Sequence, residues 1–143
     1  MPDSTPPPSI SADAPRVDES LVTYTNVIYA LHSLSVLIGL MSFHTVIGMF
    51  IWGLPSIVAV IMNYARRSAT HGTYLESHFR WQIRTFWYAV LWSFIIAAVS
   101  IPLVLILIGI PILIVGYYAL AIWIIYRVAR GWMSLRDQRP MYV

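Results

Sequence analysis

The sequence predicts an all-α integral membrane protein with four transmembrane helices, arranged as two hairpins, and a short amphipathic cytoplasmic helix leading into the third span. The chain has 143 residues, of which 59% are hydrophobic and 10% are charged, whereas soluble domains carry about 25% charged residues. No acidic or basic residue occurs in residues 20–65 or in residues 85–126. Each of these stretches is about twice as long as the ~20 apolar residues that cross a bilayer as a helix.

The positions of the spans follow from breaks near the middle of each charge-free stretch, at residues 42–45 and 109–111. We predict a transmembrane domain over residues 21–128, with spans at residues 21–41, 46–64, 85–108 and 112–128. Residues 65–84 form a cytoplasmic loop between the hairpins. Residues 1–20 are rich in Pro, Ser and Asp, which predicts a disordered cytoplasmic tail. Residues 129–143 are predicted to form a second, polar cytoplasmic tail.

The placement of basic residues predicts the orientation. All nine are arginines: eight lie in the two tails and the 65–84 loop, Arg127 lies at the end of the fourth span next to the C-terminal tail, and the two opposite turns carry no charge. Basic residues are retained on the cytoplasmic side of a membrane. We therefore predict a multi-pass protein of the bacterial inner membrane with both termini in the cytoplasm. The net charge of +3 then favours the bilayer and its anionic lipid headgroups as partners, not nucleic acid, which needs a basic patch on a soluble face.

The segment from Thr73 to Trp87 is the most informative for binding. Thr73 and Glu76 have the spacing of a capping box, which predicts a helix beginning at Thr73. At helical spacing, one face is apolar, another carries Glu76 and the arginines at i,i+4 steps, and the rest is polar and aromatic. The apolar face consists of Leu75, Phe79, Ile83 and Phe86.

Two interpretations of this segment remain open. It is either an interfacial helix whose arginines contact lipid phosphates and whose aromatic rings lie at the membrane surface, or a docking surface for a protein partner or a lipid headgroup. The candidate lipid or partner contacts are Glu76, His78, Arg80, Trp81 and Arg84.

His32 is the one ionisable side chain in the interior of a predicted span other than the tyrosines, since Arg127 lies at the end of the fourth span. A polar group at that depth is expected to face other helices, where it can form a hydrogen bond. A haem or metal site would need a second ligand at matching depth, and His44, His71 and His78 fall in the predicted turn and loop. The chain has no cysteine and no glycine-rich phosphate loop, and its spans contain no Asp, Glu or Lys and one arginine, Arg127, at the end of the fourth span. We therefore predict no catalytic, cofactor or metal site.

Several short strings support a family resemblance. They are Tyr29-Ala30-Leu31, Asn63-Tyr64 with Arg66-Arg67, the segment from Gly72 to Trp87, and Trp123 with Arg127, Arg130-Gly131 and Leu135. In these strings the chain resembles, over roughly residues 24–140, an uncharacterised family of small proteobacterial four-helix membrane proteins. That family is distantly similar to the import-channel-like small membrane proteins of the chloroplast envelope. The resemblance implies a membrane location and four helices, and it carries no activity.

These observations favour a non-enzymatic inner-membrane protein that acts by binding, as an accessory or assembly subunit of a larger complex or as a lipid-interacting protein. A membrane-protein partner or a homo-oligomer fits this hypothesis. The alternative is a conduit for small solutes or polypeptides, acting as an oligomer because four short uncharged helices make a poor pore alone. A haem-binding or redox subunit that uses His32 is the third and least favoured hypothesis.

Overall fold

The computed structural model describes residues 17–42 and 46–141, with side chains at residues 17–41 and 53–141, and all regular structure in this part of the chain is helical. The helices are α1 (Glu19–Ser42), α2 (Val46–Arg66), α3 (Tyr74–Leu103) and α4 (Gly109–Arg136), with 3-10 turns at Arg67–Thr70 and Val104–Ile106. The all-α prediction is confirmed. Three segments, Glu19–Met41, Tyr74–Ile106 and Gly109–Arg136, are long and apolar enough to cross a membrane.

Helix α1 begins inside the segment that was predicted to be disordered. A carboxylate oxygen of Asp18 accepts a hydrogen bond from the backbone N–H of Ser20 at 2.8 Å, and its carbonyl oxygen accepts from Leu21 and Val22. The Ser20 N–H also holds the pKa of Asp18 below its usual value. The disordered tail is therefore wrong for residues 17–20, because Asp18 caps the helix. The rest of that prediction lies outside the described residues.

Helix α3 runs without interruption from the predicted lead-in to Leu103. Thr73 precedes the first helical residue, but its hydroxyl donates to the carbonyl of Thr70 at 2.7 Å, instead of accepting a hydrogen bond from the helix. The carboxylate of Glu76 accepts from the N–H of Gly72 at 3.2 Å. The helix begins next to the predicted residue, but the reciprocal bonds of a capping box are not formed.

The connection between α3 and α4 lies earlier than the predicted turn at residues 109–111. The chain reverses at Leu107, which has a left-handed φ of 63°, and α4 already begins at Gly109. Pro111 lies in the first turn of α4, where a missing N–H removes no helical hydrogen bond. Gly109 is needed for close packing, since a Cβ at this position would overlap the carbonyl oxygen of Ser100.

Helix α4 continues to Arg136, well past the predicted end of the fourth span at residue 128. Leu135 is only 1% exposed, so this extension is packed against the protein and is not a free tail. After α4, Gln138 takes a left-handed φ of 52° and the chain turns back, which buries Met141 against α3. The predicted C-terminal tail over residues 129–143 thus consists, for the residues described, of the end of α4 and a return segment packed on α3.

The buried side chains form two clusters near one end of the bundle. The larger cluster joins α1, α3 and α4 and contains Leu21, Tyr29, Val36, Leu75, Leu120, Ile124, Val128 and Leu135. The smaller one joins α1, α2 and α3 through Ile28, Ala59 and Phe79. In the most apolar windows of α3 and α4, only 6% and 17% of residues are buried. An exposed apolar surface of this extent suits hydrocarbon, not water.

Candidate functional site

Arg84 and Arg127 are the charged residues on either side of the second charge-free stretch, and the packing of α3 against α4 brings them to the same level. The indole Nε1–H of Trp81 donates to the carbonyl oxygen of Arg127 at 3.1 Å. In return, Nε–H of Arg127 donates to Oγ1 of Thr85 at 2.8 Å. The two helices are thus joined where their apolar segments begin and end.

The guanidinium group of Arg127 is held between aromatic rings. Its Cζ atom lies 3.6 Å from the ring centroid of Trp81 and 5.0 Å from that of Trp123, so both contacts are of the cation–π type. The hydroxyl of Thr85 donates to the carbonyl of Trp81 at 2.7 Å, which leaves it free to accept from Arg127. These contacts give the Arg127 side chain one defined position.

Two further arginines lie close enough to Arg127 to repel it, Arg84 on α3 and Arg130 on α4. Cζ of Arg84 lies 6.0 Å from the ring of Tyr88, and Nη1–H of Arg130 donates to the hydroxyl of Tyr126 at 3.0 Å. We call Arg84, Arg127 and Arg130 the arginine cluster. Within the described residues the ion pairs are His71–Glu76 and Arg136–Asp137, so none of these three arginines is neutralised by a carboxylate there.

His78 is fully buried and uses both ring nitrogens. Nε2 lies 2.9 Å from the carbonyl oxygen of Arg139, and Nδ1 lies 2.9 Å from the hydroxyl of Tyr29. Because a carbonyl only accepts, Nε2 carries the proton, and a neutral imidazole then accepts the Tyr29 O–H at Nδ1. The neighbouring Ser77 hydroxyl accepts from the N–H of Met141 at 2.8 Å. His78 therefore joins α1, α3 and the segment that follows α4.

The structure thus divides the five predicted contact residues. His78 and Trp81 lie inside the protein, with 0% and 8% exposure, so they position other groups and are not available to lipid. Arg80 and Arg84 are exposed. Glu76 is directed towards Gly72 and His71, with 3.6 Å between its carboxylate and Nδ1 of His71, and not towards Arg80 one helical turn later.

His32 lies between α1 and α2, with 6% exposure. Its Nδ1 is 3.2 Å from Oγ of Ser56 on α2. His32 was predicted to face another helix and form a hydrogen bond there, and Ser56 on α2 is its partner. A cavity of about 220 Å³ lies beside this pair, and its polar lining consists of His32, Ser35, Ser56, Thr85 and Ser93. In the described part of the chain, no group of three or more His, Asp or Glu side chains could hold a metal ion.

The α4 residues of this site were not among the predicted contacts: Arg127 and Arg130 of the arginine cluster, and their aromatic partners Trp123 and Tyr126. The sequence contains a signal for this site, because Arg84 and Arg127 directly flank the second charge-free stretch. When an apolar stretch folds into two helices joined by a short turn, its two ends come close together. No protein-family model, curated protein or solved structure matches this chain. The resemblance to small proteobacterial membrane proteins remains a prediction.

Proposed function

We propose that this chain is a bacterial inner-membrane protein with four transmembrane helices that acts by binding, as a lipid-interacting protein or as an accessory or assembly subunit. The observation that carries the proposal is the arginine cluster. Three guanidinium groups and their aromatic partners are assembled at the level where the apolar surface begins, which is the position of headgroups in a bilayer.

Four spans are supported by the way α2 lies along α1. The hydroxyl of Tyr24, near the start of α1, donates to the carbonyl of Met62 near the end of α2 at 2.9 Å. Further along, His32 of α1 meets Ser56 of α2. Residues 46–64 carry no charge. If α1 crosses the bilayer, α2 therefore lies at the same depth beside it.

Cytoplasmic termini are supported by the arginines that share one end of the bundle. Arg66, at the end of α2, lies over the ring of Tyr24 with 5.3 Å between Cζ and the ring centroid. Tyr24 is near the start of α1. The arginine cluster lies near the end of α4, and α1 packs on α4 through Tyr29 and Gly131. The positive end is expected to face the cytoplasm.

The proposal is tested by purifying the full-length protein in mild detergent and identifying the proteins and lipids that remain bound by mass spectrometry. We expect enrichment of anionic phospholipid over the membrane average, or a defined membrane-protein partner in constant ratio. In parallel, the protein is reconstituted into liposomes for flux measurements. Solute flux that depends on the protein, with no enriched lipid or partner, would favour the conduit hypothesis and contradict a binding function.

A further inference from the structure

We propose that the arginine cluster is a defined binding site for the phosphate group of one anionic phospholipid, whose acyl chains lie along the exposed faces of α3 and α4. This inference rests on the proposed function in that it places α3 and α4 in a bilayer. It goes further by naming the residues and the ligand chemistry. It also predicts one bound lipid per protein, in place of a general attraction of the protein to an anionic membrane surface.

The charge arrangement calls for an anion. Arg84 and Arg130 each lie close enough to Arg127 to repel it, and in the described part of the chain no carboxylate forms an ion pair with any of the three. A phosphate group placed among them relieves this repulsion. The planar fork of a guanidinium also matches the oxygens of a phosphate, with two parallel N–H···O bonds. The site is therefore suited to a phosphate more than to a diffuse counter-ion.

The site is also organised before a ligand arrives. Arg127 is fixed by its hydrogen bond to Thr85 and by the rings of Trp81 and Trp123. Arg130 is directed by Tyr126. Ordering a flexible arginine at an interface costs side-chain conformational entropy. Most of that cost is already met in the unliganded fold, which favours specific binding over loose surface attraction.

The surface next to the cluster favours a lipid over a free phosphate ion. Tyr88 and Leu91 follow Arg84 at helical spacing and are 41% and 49% exposed. Ile122 and Tyr126 precede Arg130 at helical spacing and are 66% and 57% exposed. A headgroup at the arginines thus places its acyl chains against these apolar side chains. A soluble phosphate ion gains nothing from that surface.

The test measures lipid binding to the full-length, delipidated protein in detergent by native mass spectrometry, with phosphatidylglycerol and phosphatidylcholine as probes. The site variant carries Arg84→Gln and Arg130→Gln, and the matched control carries Arg67→Gln and Arg136→Gln, two exposed arginines away from the cluster. We expect the first phosphatidylglycerol to bind the site variant about fivefold more weakly per arginine removed. The control should bind it like the wild type, and phosphatidylcholine should bind weakly to all three proteins.

Three further measurements keep the outcomes distinct. Thermal melts in lipid-free detergent should coincide for the site variant and the control, because both pairs of arginines are exposed. Arg127→Lys keeps the charge but loses the fork, and it should also weaken the first lipid. An excess of inorganic phosphate should not displace the lipid; complete displacement would assign the site to a free phosphate ion and overturn the proposal.

The failure of this site and the failure of the proposed function give different results. If wild-type protein prefers phosphatidylglycerol but the site variant and the control lose equal affinity, the defined site is wrong and a general lipid attraction stands. If the wild type binds both lipids equally, the site is wrong and the lipid-interacting form of the proposed function fails with it. A subunit role would then depend on the co-purified proteins alone.

Discussion

At the scale of single residues, His32 illustrates how a polar group is accommodated between apolar helices. Its contact with Ser56 is one hydrogen bond between helices, and such bonds in membranes contribute about 1 kcal/mol. We expect His32→Leu to lower the free energy of unfolding by about that amount. Ser56→Ala should have a similar effect, and the double variant should lose little more. The measurement is thermal unfolding in detergent.

A neighbouring serine provides the control for His32. The hydroxyl of Ser33 donates to the carbonyl of Tyr29 on its own helix, so Ser33→Ala removes no contact between helices and should leave stability nearly unchanged. If the purified protein instead shows a visible absorption band that His32→Leu removes, the structural role assigned to His32 is wrong. The cofactor hypothesis would then take its place.

Gly131 marks the closest approach of α4 to α1. A Cβ at this position would lie 2.5 Å from the hydroxyl of Tyr29, and Tyr29 cannot move freely because it is 1% exposed and hydrogen-bonded to His78. We expect Gly131→Ala to destabilise the protein by about 1–3 kcal/mol, as overpacking usually does. Gly53→Ala is the control, because among the described side chains its Cβ would meet Ile57 alone, at an ordinary contact distance of 3.8 Å. Equal melting temperatures for the two variants would contradict this packing.

At this scale the sequence correctly predicted that His32 faces another helix, whereas His78, predicted as a lipid or partner contact, is buried. A histidine next to arginines and aromatic residues, in a segment predicted to be a cytoplasmic loop, looks like a surface group. Its burial depends on the return of the chain after α4, where the carbonyl of Arg139 meets Nε2. A contact between residues 61 positions apart leaves no periodic signal in a single sequence.

At the scale of elements, α3 is the helix whose exposed and buried faces can be mapped directly, since the chain contains no cysteine that would react as background. We expect single cysteines at positions 75, 78, 79 and 82 to be protected from a water-soluble maleimide. These positions are buried in the bundle, whereas Arg80 and Arg84 are exposed, so cysteines at 80 and 84 should react. Uniform reactivity from 75 to 84 would show that this segment is not packed as described.

The protected set differs from the set that periodicity alone indicates. Leu75 and Phe79 were predicted on the inner face and are buried, but Ile83 is only partly buried, while His78 and Gln82 are buried instead. Periodicity locates an apolar face correctly only when the neighbours are apolar too. Here α1 and the segment after α4 offer polar partners to α3. The buried face of α3 therefore includes polar side chains that contact them.

The end of α4 was mispredicted for a related reason. The segment after residue 128 is rich in arginine, which indicates solvent, and arginines 130 and 136 are indeed exposed. Between them, however, Gly131 and Leu135 recur at helical spacing and are buried against the protein. A narrow stripe of small and apolar residues was sufficient to hold the helix together beyond the membrane-spanning part.

At the scale of the whole molecule, the charge-free stretches predicted most of the architecture. Their lengths and midpoint breaks predicted four spans, and the structure has a helix at each of those stretches, with α3 beginning at the predicted lead-in and α4 continuing past the predicted fourth span. Three of the helical segments are long and apolar enough to cross a membrane. This success has a physical cause. Charged residues are costly in hydrocarbon, so their positions mark the ends of apolar segments with little interference from local propensity.

The orientation of the molecule is the prediction that tests this reasoning as a whole. Single cysteines at positions 5, 43, 70, 110 and 140, probed in intact cells with a membrane-impermeant maleimide, report each side of the membrane. With four spans and a cytoplasmic N-terminus, positions 43 and 110 should react from outside, and positions 5, 70 and 140 only after permeabilisation.

If α2 did not cross, position 70 would lie outside with 43, position 110 would lie inside, and position 140 would lie outside. That three-span arrangement would place the arginine cluster on the periplasmic side, against the retention of basic residues in the cytoplasm. Reaction at 70 or 140 from outside would therefore contradict both the four-span topology and a cytoplasmic arginine cluster.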